Sequence, residues 1–206
     1  MTETASTSPA DADDRSRQQR GNARRQAILD AAVELFAARG YQGTGVAALA
    51  DEVGMTAPGL LYYFGTKERL LREVVSERDR TELSDLDSLE GAGLRSLRGL
   101  GRANQAHATM TRLYVRLGAE NLDADDPLHD FFARRYASGR QFVAGVIRDE
   151  QARGIVSSDV DVEQTATEVI ATLMGLEIQW LHDPSNIDLD AVVDKYFDRL
   201  ADELAP

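Results

Sequence analysis

The sequence predicts an all-α protein, and three observations lead to that class. Apolar residues recur at helical spacing along most of the chain from residue 28 onwards. No stretch alternates with strand period over a useful length. Glycine or proline follows most of the apolar runs, where helices normally end. Of the 206 residues, 43% are hydrophobic, so a sizeable core can form and global disorder is excluded.

The N-terminal part of the chain divides into a tail and four helical segments. Residues 1–20 contain almost no apolar residue and are predicted to be a disordered tail. The first helical run, from Ile28 to Phe36, stops at Gly40. Pro58 falls in the first turn of a later helix, where its missing N–H costs nothing. Threonines are the predicted N-caps of the next three helices: Thr44, Thr56 and Thr66.

The C-terminal part starts with a weaker helical signal, because four glycines lower the helix propensity of residues 89–107. We still predict helix there, and a short helix over residues 111–120. Gly154 and Pro184 mark the ends of two long helices that come next. Asp126 and Asp161 are the predicted N-caps of these two helices, and the last helix is predicted to run from Asp188.

The last two helices each carry an apolar stripe wider than one neighbouring helix would need. Two such antiparallel helices from each of two copies would form a four-helix interface. The sequence therefore predicts a homodimer joined through these helices. The alternative is that both helices pack only within the monomer.

Composition also sets the expected environment. The chain has no cysteine, which excludes disulfides and thiolate chemistry and is typical of a reducing compartment. No apolar stretch is long enough to span a membrane, and the acidic first fourteen residues do not resemble a secretory signal. We therefore expect a cytoplasmic protein with no membrane partner.

Charge is unevenly distributed along the chain. The net charge of −12 argues by itself against a nucleic-acid partner. Residues 15–72, however, hold nine basic and five acidic residues, a net charge of +4, and residues 73–206 carry −12. A basic arm in front of a basic module is typical of nucleic-acid binders, although its arginines could instead pair with the acidic residues before them. The arm contains five arginines: Arg15, Arg17, Arg20, Arg24 and Arg25.

Residues 46–63 have the pattern of a helix-turn-helix. Ala50 lies where two helices would cross and only a small residue fits, and Gly54 can adopt the left-handed conformation of the tight turn. The alternative is a helical hairpin that only packs. Five residues are spaced to fill the small core between the helices: Leu49, Val53, Met55, Leu60 and Tyr63.

The residues around this motif resemble a known family. The pattern reads ILDAA at 28–32, LF at 35–36, GYQGT at 40–44, LA at 49–50, GMT at 54–56 and FGTKE at 64–68. It closely resembles the DNA-binding domain of the TetR family of bacterial transcriptional regulators. The resemblance implies an all-helical homodimer in which a three-helix domain over residues 21–81, with its helix-turn-helix at 45–64, binds DNA. Residues 82–206 would then form an effector-binding and dimerisation domain.

The same resemblance implies the DNA contacts. Phosphate contacts would come from hydroxyl groups and from a cation at a helix start, on Thr44, Tyr62, Tyr63 and Lys67. Contacts to base edges would come from the start of the recognition helix and one residue of the helix before it: Thr56, Ala57, Pro58, Gly59 and Ala47.

Two residues of the recognition helix depart from the family pattern. Pro58 replaces a frequent glycine, and Leu61 stands where the family usually has a tyrosine that contacts DNA. The first turn therefore offers no arginine, asparagine or glutamine for bidentate base contacts. We expect thymine-methyl contacts, the Thr56 hydroxyl, the two tyrosines and DNA shape to supply most of the specificity. Minor-groove contacts from the arginine arm are a further hypothesis.

Resemblance is weaker in the C-terminal part, where QWL at 179–181 before Asp183-Pro184 resembles the betaine-regulator type of C-terminal domain. A small-molecule effector is implied, and an aromatic pocket with an acidic residue would suit a cationic or amphipathic compound. Each candidate could instead be ordinary core. The apolar candidates are Met110, Tyr114, Phe131, Phe142, Met174 and Trp180, and the polar ones are His107, Arg135 and Glu177.

The sequence predicts no enzyme, no metal site and no cofactor. The three histidines are far apart, and no phosphate loop or nucleophile motif is present. The function predicted is a repressor that binds a palindromic operator and is released by its effector. Two alternatives stay open: an activator or ligand-independent regulator of the same fold, and a helical small-molecule-binding or adaptor protein that no longer binds DNA.

Overall fold

A computed structural model of the chain describes residues 9–76 and 93–206. Within these ranges every regular element is a helix, as the sequence predicts. The first helices are α1 (Pro9–Arg39), α2 (Val46–Glu52), α3 (Ala57–Phe64) and α4, described over residues 67–76. After the short 3₁₀ helix η1 (Leu94–Leu97) come α5 (Leu100–Ala106), α6 (Ala108–Ala119), α7 (His129–Ala152), α8 (Val162–His182) and α9 (Leu189–Glu203).

Helix α1 begins earlier than the sequence predicts. Residues 9–20, assigned to the disordered tail, form its first turns. The tail was inferred from the lack of apolar residues, but residues 10–20 contain no glycine or proline and join a packed helix directly. Extending a helix that already exists requires no new nucleation, so propensity suffices there. Of the predicted tail, residues 1–8 lie outside the described residues.

Three of the five predicted N-caps are confirmed, and Asp188, from which the last helix is predicted to run, is a cap as well. The Thr56 hydroxyl accepts a hydrogen bond from the Gly59 N–H (3.2 Å), and Thr66 accepts one from the Arg69 N–H (3.1 Å). The carboxylates of Asp161 and Asp188 cap α8 and α9 in the same way, at 3.0 and 3.2 Å.

The other two predicted caps are wrong. Gly45, not Thr44, precedes the first turn of α2, and Thr44 is turned into the core. Helix α7 begins two residues later than predicted, after Leu128, because the Asp126 carboxylate accepts a hydrogen bond from the Asp123 N–H (2.9 Å) and so closes the preceding loop.

The apolar interior forms two clusters. The first joins α1–α4 to the middle of α6 and the start of α7, where Leu113, Leu117 and Phe132 are buried. The second lies between η1, the later part of α7, α8 and α9, around Phe197 and Trp180. The first cluster crosses the predicted boundary at residue 81, which itself lies outside the described residues. We define the head as α1–α4 and the body as η1 together with α5–α9.

Charged residues join the start of the body to its last helix. Four aspartates spaced four residues apart line one face of α9, and three arginines of residues 95–102 pair with them. Arg102 binds Asp190 at 2.9 Å, and the Gly99 N–H donates to Asp194 at 2.8 Å. These ion pairs are largely exposed, so each contributes little alone, but together they fix the register of η1 and α5 on α9.

The backbone at the start of α9 approaches Gly101 closely, and this is possible only because Gly101 has no side chain. A Cβ atom there would lie 2.5 Å from the Leu189 carbonyl oxygen and 2.8 Å from the Asp190 Cα. We predict that Gly101→Ala lowers the free energy of unfolding by about 1–3 kcal/mol, because backbone must move to accept the methyl group. Chemical denaturation measures this, with Gly145→Ala as the control: its Cβ would meet nothing within 4 Å, and it should stabilise α7 by about 0.5–1 kcal/mol.

Candidate nucleic-acid interface

Helices α2 and α3 form the predicted helix-turn-helix. Gly54 has a φ of +63°, the left-handed conformation that the turn requires, and the Met55 N–H donates to the Ala50 carbonyl oxygen at 2.8 Å. Ala50 is buried at the crossing, together with Leu49 and Leu60. The two features that the sequence predicts for the motif, a small residue at position 50 and a left-handed conformation at Gly54, are therefore both present in the structure.

The exposed side of α3 carries the predicted DNA-contacting residues. Tyr62 is 88% exposed, and its ring meets the half-buried ring of Tyr63 edge-on at 5.8 Å. A large aromatic side chain so exposed gains nothing from the core, and its hydroxyl is free to reach a partner in solution. Other predicted base contacts also lie at the surface, fully or partly exposed: Ala47, Thr56, Ala57, Pro58 and Gly59.

Thr44 is the predicted contact that the structure places elsewhere. Its side chain is completely buried, and its hydroxyl lies 2.7 Å from the Gly40 carbonyl oxygen and 3.2 Å from that of Leu35. Gly40 directly follows α1 and Leu35 lies near its end, so the hydroxyl joins the turn before α2 to the place where α1 stops. The predicted phosphate contact through this hydroxyl is therefore wrong, and Thr44 stabilises the turn between α1 and α2.

Lys67 lies at the start of α4, half-buried beside Tyr41. Its Nζ is 4.0 Å from the centre of the Tyr41 ring, a cation–π contact. Burial lowers the pKa of Lys67 and the nearby Glu120 carboxylate opposes that shift, while burial raises the pKa of Tyr41. The ammonium group is thus held in one place at the start of the helix. Sequence reasoning missed Tyr41, because nothing in the spacing indicates that it meets Lys67.

Two arginines of the predicted arm are part of the head. Arg25 pairs with Glu73 and lies over the Phe64 ring at 5.1 Å. Arg24 donates to the Val53 carbonyl oxygen at 3.4 Å, beside the turn of the helix-turn-helix. The arm is therefore a continuation of α1 rather than a loose segment, and minor-groove binding by it stays a hypothesis.

The predicted effector residues fall into separate groups. Tyr114, Phe131 and Arg135 come together: the two rings stack at 6.4 Å, and the guanidinium lies 4.1 Å from the Tyr114 ring centre. Met110 packs on the same cluster. Phe142 and Trp180 instead belong to the second core.

The remaining three effector candidates are Glu177, Met174 and His107. Burial raises the pKa of the Tyr136 hydroxyl, Arg135 opposes that shift and Glu177 adds to it, so Glu177 lies near the Arg135 side of the aromatic cluster. Glu177 accepts a hydrogen bond from the Asn104 side chain at 2.6 Å. Met174 is half-buried on α8, and His107 is exposed between α5 and α6. A cleft of about 130 Å³ between α4 and α7 contains Phe131 from the predicted set, and its other lining residues are Arg72, Val75, Ser76, Leu128 and Arg134.

The described ranges contain no helix capable of crossing a membrane and no group of three acidic, histidine or cysteine residues that could hold a metal ion.

A helix-turn-helix head with an exposed recognition helix, joined to an all-helical body, defines the class of helix-turn-helix DNA-binding regulators. The family model described as "Bacterial regulatory proteins, tetR family" matches residues 28–74, and the model described as "Tetracyclin repressor-like, C-terminal domain" matches residues 106–196. The chain belongs to the TetR family of bacterial transcriptional regulators. The finer likeness to the betaine-regulator type stays a prediction.

Similar proteins share this architecture over nearly their whole length. The transcriptional repressor KstR2 of Rhodococcus jostii is 27% identical, over 96% of this chain and 97% of that protein. AcnR of Corynebacterium glutamicum, also a transcriptional repressor, is 28% identical over 86% of this chain and 81% of its own. A TetR-family regulator from a Rhodococcus species has a solved structure with a TM-score of 0.67 at 25% identity, covering 89% of this chain and 98% of that one.

A second solved structure shows the same fold. It is a transcriptional regulator from Saccharomonospora viridis in complex with choline, with a TM-score of 0.73 at 22% identity, covering 86% of this chain and 95% of that one.

The buried position of Thr44 yields a test that separates structure from DNA contact. We predict that Thr44→Val lowers the free energy of unfolding by about 1–2 kcal/mol, because a buried hydrogen bond to the end of α1 is lost. Thermal or urea unfolding measures this. Thr167→Val is the control, since that hydroxyl also donates to a backbone carbonyl, at 2.8 Å, but is exposed. An unchanged stability with weaker DNA binding would contradict the structural role.

Proposed function

We propose that this DNA-binding regulator is a homodimeric repressor that binds a palindromic operator and is released by a small-molecule effector. The observation that carries the proposal is the surface of α3, where Tyr62 stands 88% exposed beside Thr56 and Pro58 on a rigid helix-turn-helix. The similarity to KstR2 and AcnR, both named transcriptional repressors, supports repression rather than activation.

We expect this head to recognise DNA through a small number of polar contacts and through the shape of the DNA. Phosphate contacts fall to Lys67 and to the tyrosine hydroxyls, and the first turn of α3 offers apolar surface for thymine methyl groups. Two recognition helices, one from each subunit, would enter successive major grooves about one helical turn apart, which requires a palindromic operator.

Dimerisation is assigned to the last two helices. Ile178 on α8 and Val192 on α9 are 41% and 38% exposed, and the half-buried Leu181 and Tyr196 lie on the same two helices. Of the described large apolar side chains outside the head, Ile178 and Val192 are among the few that remain so exposed. A second copy of the chain would cover them.

The effector site is assigned to the aromatic cluster of Tyr114 and Phe131, with the adjoining cleft. Because the Arg135 guanidinium already covers the Tyr114 ring, a cationic effector would have to displace it, whereas an amphipathic compound could bind against Phe131 and Met110 without doing so. The choline bound to the regulator from Saccharomonospora viridis shows what that protein binds, and it makes quaternary amines a reasonable first group to test.

No catalytic activity and no cofactor are assigned to the chain, since KstR2, AcnR and the two structural neighbours are all named as regulators. A regulator of this kind would act in the cytoplasm, on the bacterial chromosome. Activation without release, and ligand binding without DNA binding, are the outcomes that would replace this proposal.

The test of DNA binding begins with selection of duplexes from random sequence by the full chain, followed by titration at several salt concentrations. We expect an enriched palindrome with steeply salt-dependent affinity. Lys67→Ala should weaken binding to all sequences about equally and flatten the logarithmic salt dependence by about one unit per head, because one phosphate contact is lost.

Arg153→Ala, which removes an exposed cation at the end of α7, is the matched control and should leave both quantities unchanged. Failure to enrich any duplex would overturn the proposed function. A Lys67→Ala variant with the wild-type salt slope would contradict the assigned phosphate contact.

The dimer assignment is tested by placing charge on the last two helices. We predict that Ile178→Glu combined with Val192→Glu turns the dimer into a monomer in analytical ultracentrifugation, because buried carboxylates would face each other across the interface. Leu122→Glu is the control, since this residue is 74% exposed but lies in the loop before α7. A monomeric wild-type protein at micromolar concentration would contradict the assignment.

A further inference from the structure

We propose that Arg116 and Glu120, at the end of α6, are positioning residues that couple the body to the DNA-binding head. Both side chains bind the end of α1 and the turn that leads into α2. This inference rests on the proposed function, because it concerns how the state of the body reaches the DNA contacts.

Glu120 binds the turn after α1. Its Oε2 atom accepts a hydrogen bond from the backbone N–H of Tyr41 at 2.8 Å, across 79 residues of sequence. The carboxylate also lies directly against Gly40, so that a Cβ atom at Gly40 would collide with Oε1. Gly40 has a φ of +75°, so glycine is required there both by the backbone and by the carboxylate.

Arg116 binds the last turn of α1 itself. Its Nη1 atom donates to the carbonyl oxygen of Ala38 at 2.5 Å. A cation is the favourable partner for carbonyl groups at the end of a helix, and an anion is a favourable partner for the backbone N–H that follows. Arg116 and Glu120 are four residues apart, so they lie on one face of α6. From that face the cation meets the last carbonyl groups of α1, and the anion meets the backbone N–H that follows.

The same turn leads to the phosphate contact. The ring of Tyr41, whose N–H binds Glu120, lies under the Lys67 ammonium group at 4.0 Å. Thr44 binds the Gly40 carbonyl oxygen from the interior at 2.7 Å. The turn is therefore held between the head core and α6, and a shift of α6 must move either the turn or these contacts.

The same helix carries two of the residues assigned to the effector site, Met110 near its start and Tyr114 in its middle. A helix of twelve residues is about 18 Å long, so one rigid element connects the two sites. Arg116 is partly exposed and Glu120 is exposed, so screening makes each contact weak on its own. Their effect comes from geometry, because both join the α1–α2 turn to the same helix of the body.

Coupling of this kind is reciprocal, so it can be measured from the DNA side without knowing the effector. The probe is a duplex that the full chain selects from random sequence, and the readout is amide hydrogen exchange of the full-length protein with and without that duplex. In the wild-type protein we expect the duplex to slow exchange in α6 by about fivefold or more, the lower end of usual coupling between sites.

In the variant Arg116→Ala combined with Glu120→Ala, the duplex should still bind, because no proposed DNA contact is removed, but its effect on exchange in α6 should be lost. Glu120→Gln keeps an acceptor for the Tyr41 N–H and should retain most of the effect. Arg148→Ala, which removes an exposed ion pair to Glu163 within the body, should retain all of it.

A pair of glycine substitutions repeats the test without changing either charged residue. Gly40 and Gly154 both have a positive φ, of +75° and +70°, so alanine strains the backbone in both. Only at Gly40 does the new methyl group displace Glu120, since a Cβ at Gly154 would meet nothing within 4 Å. Gly40→Ala should therefore lose the DNA effect on α6, and Gly154→Ala should keep it.

Three results would overturn the inference. One is a wild-type protein that binds the duplex with no change in α6 exchange, and another is a double variant whose α6 responds as the wild type does. If the double variant does not fold, unchanged coupling in Gly40→Ala would count in the same way. A wild-type protein that binds no duplex is a fourth result: it would overturn the proposed function together with the inference, and it is distinguishable from the other three because in those the duplex still binds.

Discussion

The reversal of the chain after α1 is the constraint on which the head depends. Within a few residues the backbone must leave α1, turn and begin α2, and Gly40 allows this with a positive φ. The buried hydroxyl of Thr44 satisfies the Gly40 carbonyl group, while the neighbouring Tyr41 N–H turns outward to Glu120. Since α2 starts directly after this turn and α3 packs on α2, the direction of the recognition helix is set here. The rest of the DNA-binding surface depends on that direction.

Helix α9 leaves one apolar surface uncovered within the monomer. Its core face, with Val193, Phe197 and Leu200, packs within the monomer. Its acidic face is occupied by arginines from residues 95–102, so charge repulsion among four aspartates is relieved inside one chain. Val192 lies on a third side and stays 38% exposed. Two sides of α9 therefore already make contacts within the monomer. The exposed apolar surface that remains is the one that the proposed dimer would cover.

Local patterns were sufficient for most of the fold. Helical spacing predicts the all-α class, and a threonine or aspartate just before a helical run predicts the caps at Thr56, Thr66 and Asp161. Thr44 carries the same local signal but is not a cap, because the end of α1 packs over it and takes its hydroxyl. The local sequence around Thr44 does not show that carbonyl groups near the end of α1 bind this hydroxyl instead. The prediction for residues 9–20 is wrong for a different reason. A segment without apolar residues does not pack against a core, but it can still be helical when it extends an existing helix.

Sites built from distant segments were less predictable than the helices. The recognition helix is one continuous segment, so its exposed residues, Tyr62 above all, follow from sequence order and helical geometry. The effector candidates lie on several helices, and apolar spacing cannot tell which neighbour covers a given face. Tyr114 and Phe131 therefore meet, whereas Phe142 and Trp180 belong to another core. The contact of Glu120 with Tyr41, 79 residues away, has no signal in the sequence at all.

The distribution of charge acts on DNA binding through these contacts. Residues 15–72 carry a net charge of +4 in a chain of −12, and we expect this polarity to orient the head toward DNA and the acidic body to oppose non-specific binding. Part of that positive charge is bound within the protein, because Arg25 pairs with Glu73 and Arg24 donates to the Val53 carbonyl oxygen. Fewer cations are thus available for phosphates than the count indicates. Affinity must then depend on a small number of well-placed groups, and because Lys67 rests on Tyr41, next to Glu120, its position is sensitive to the position of α6.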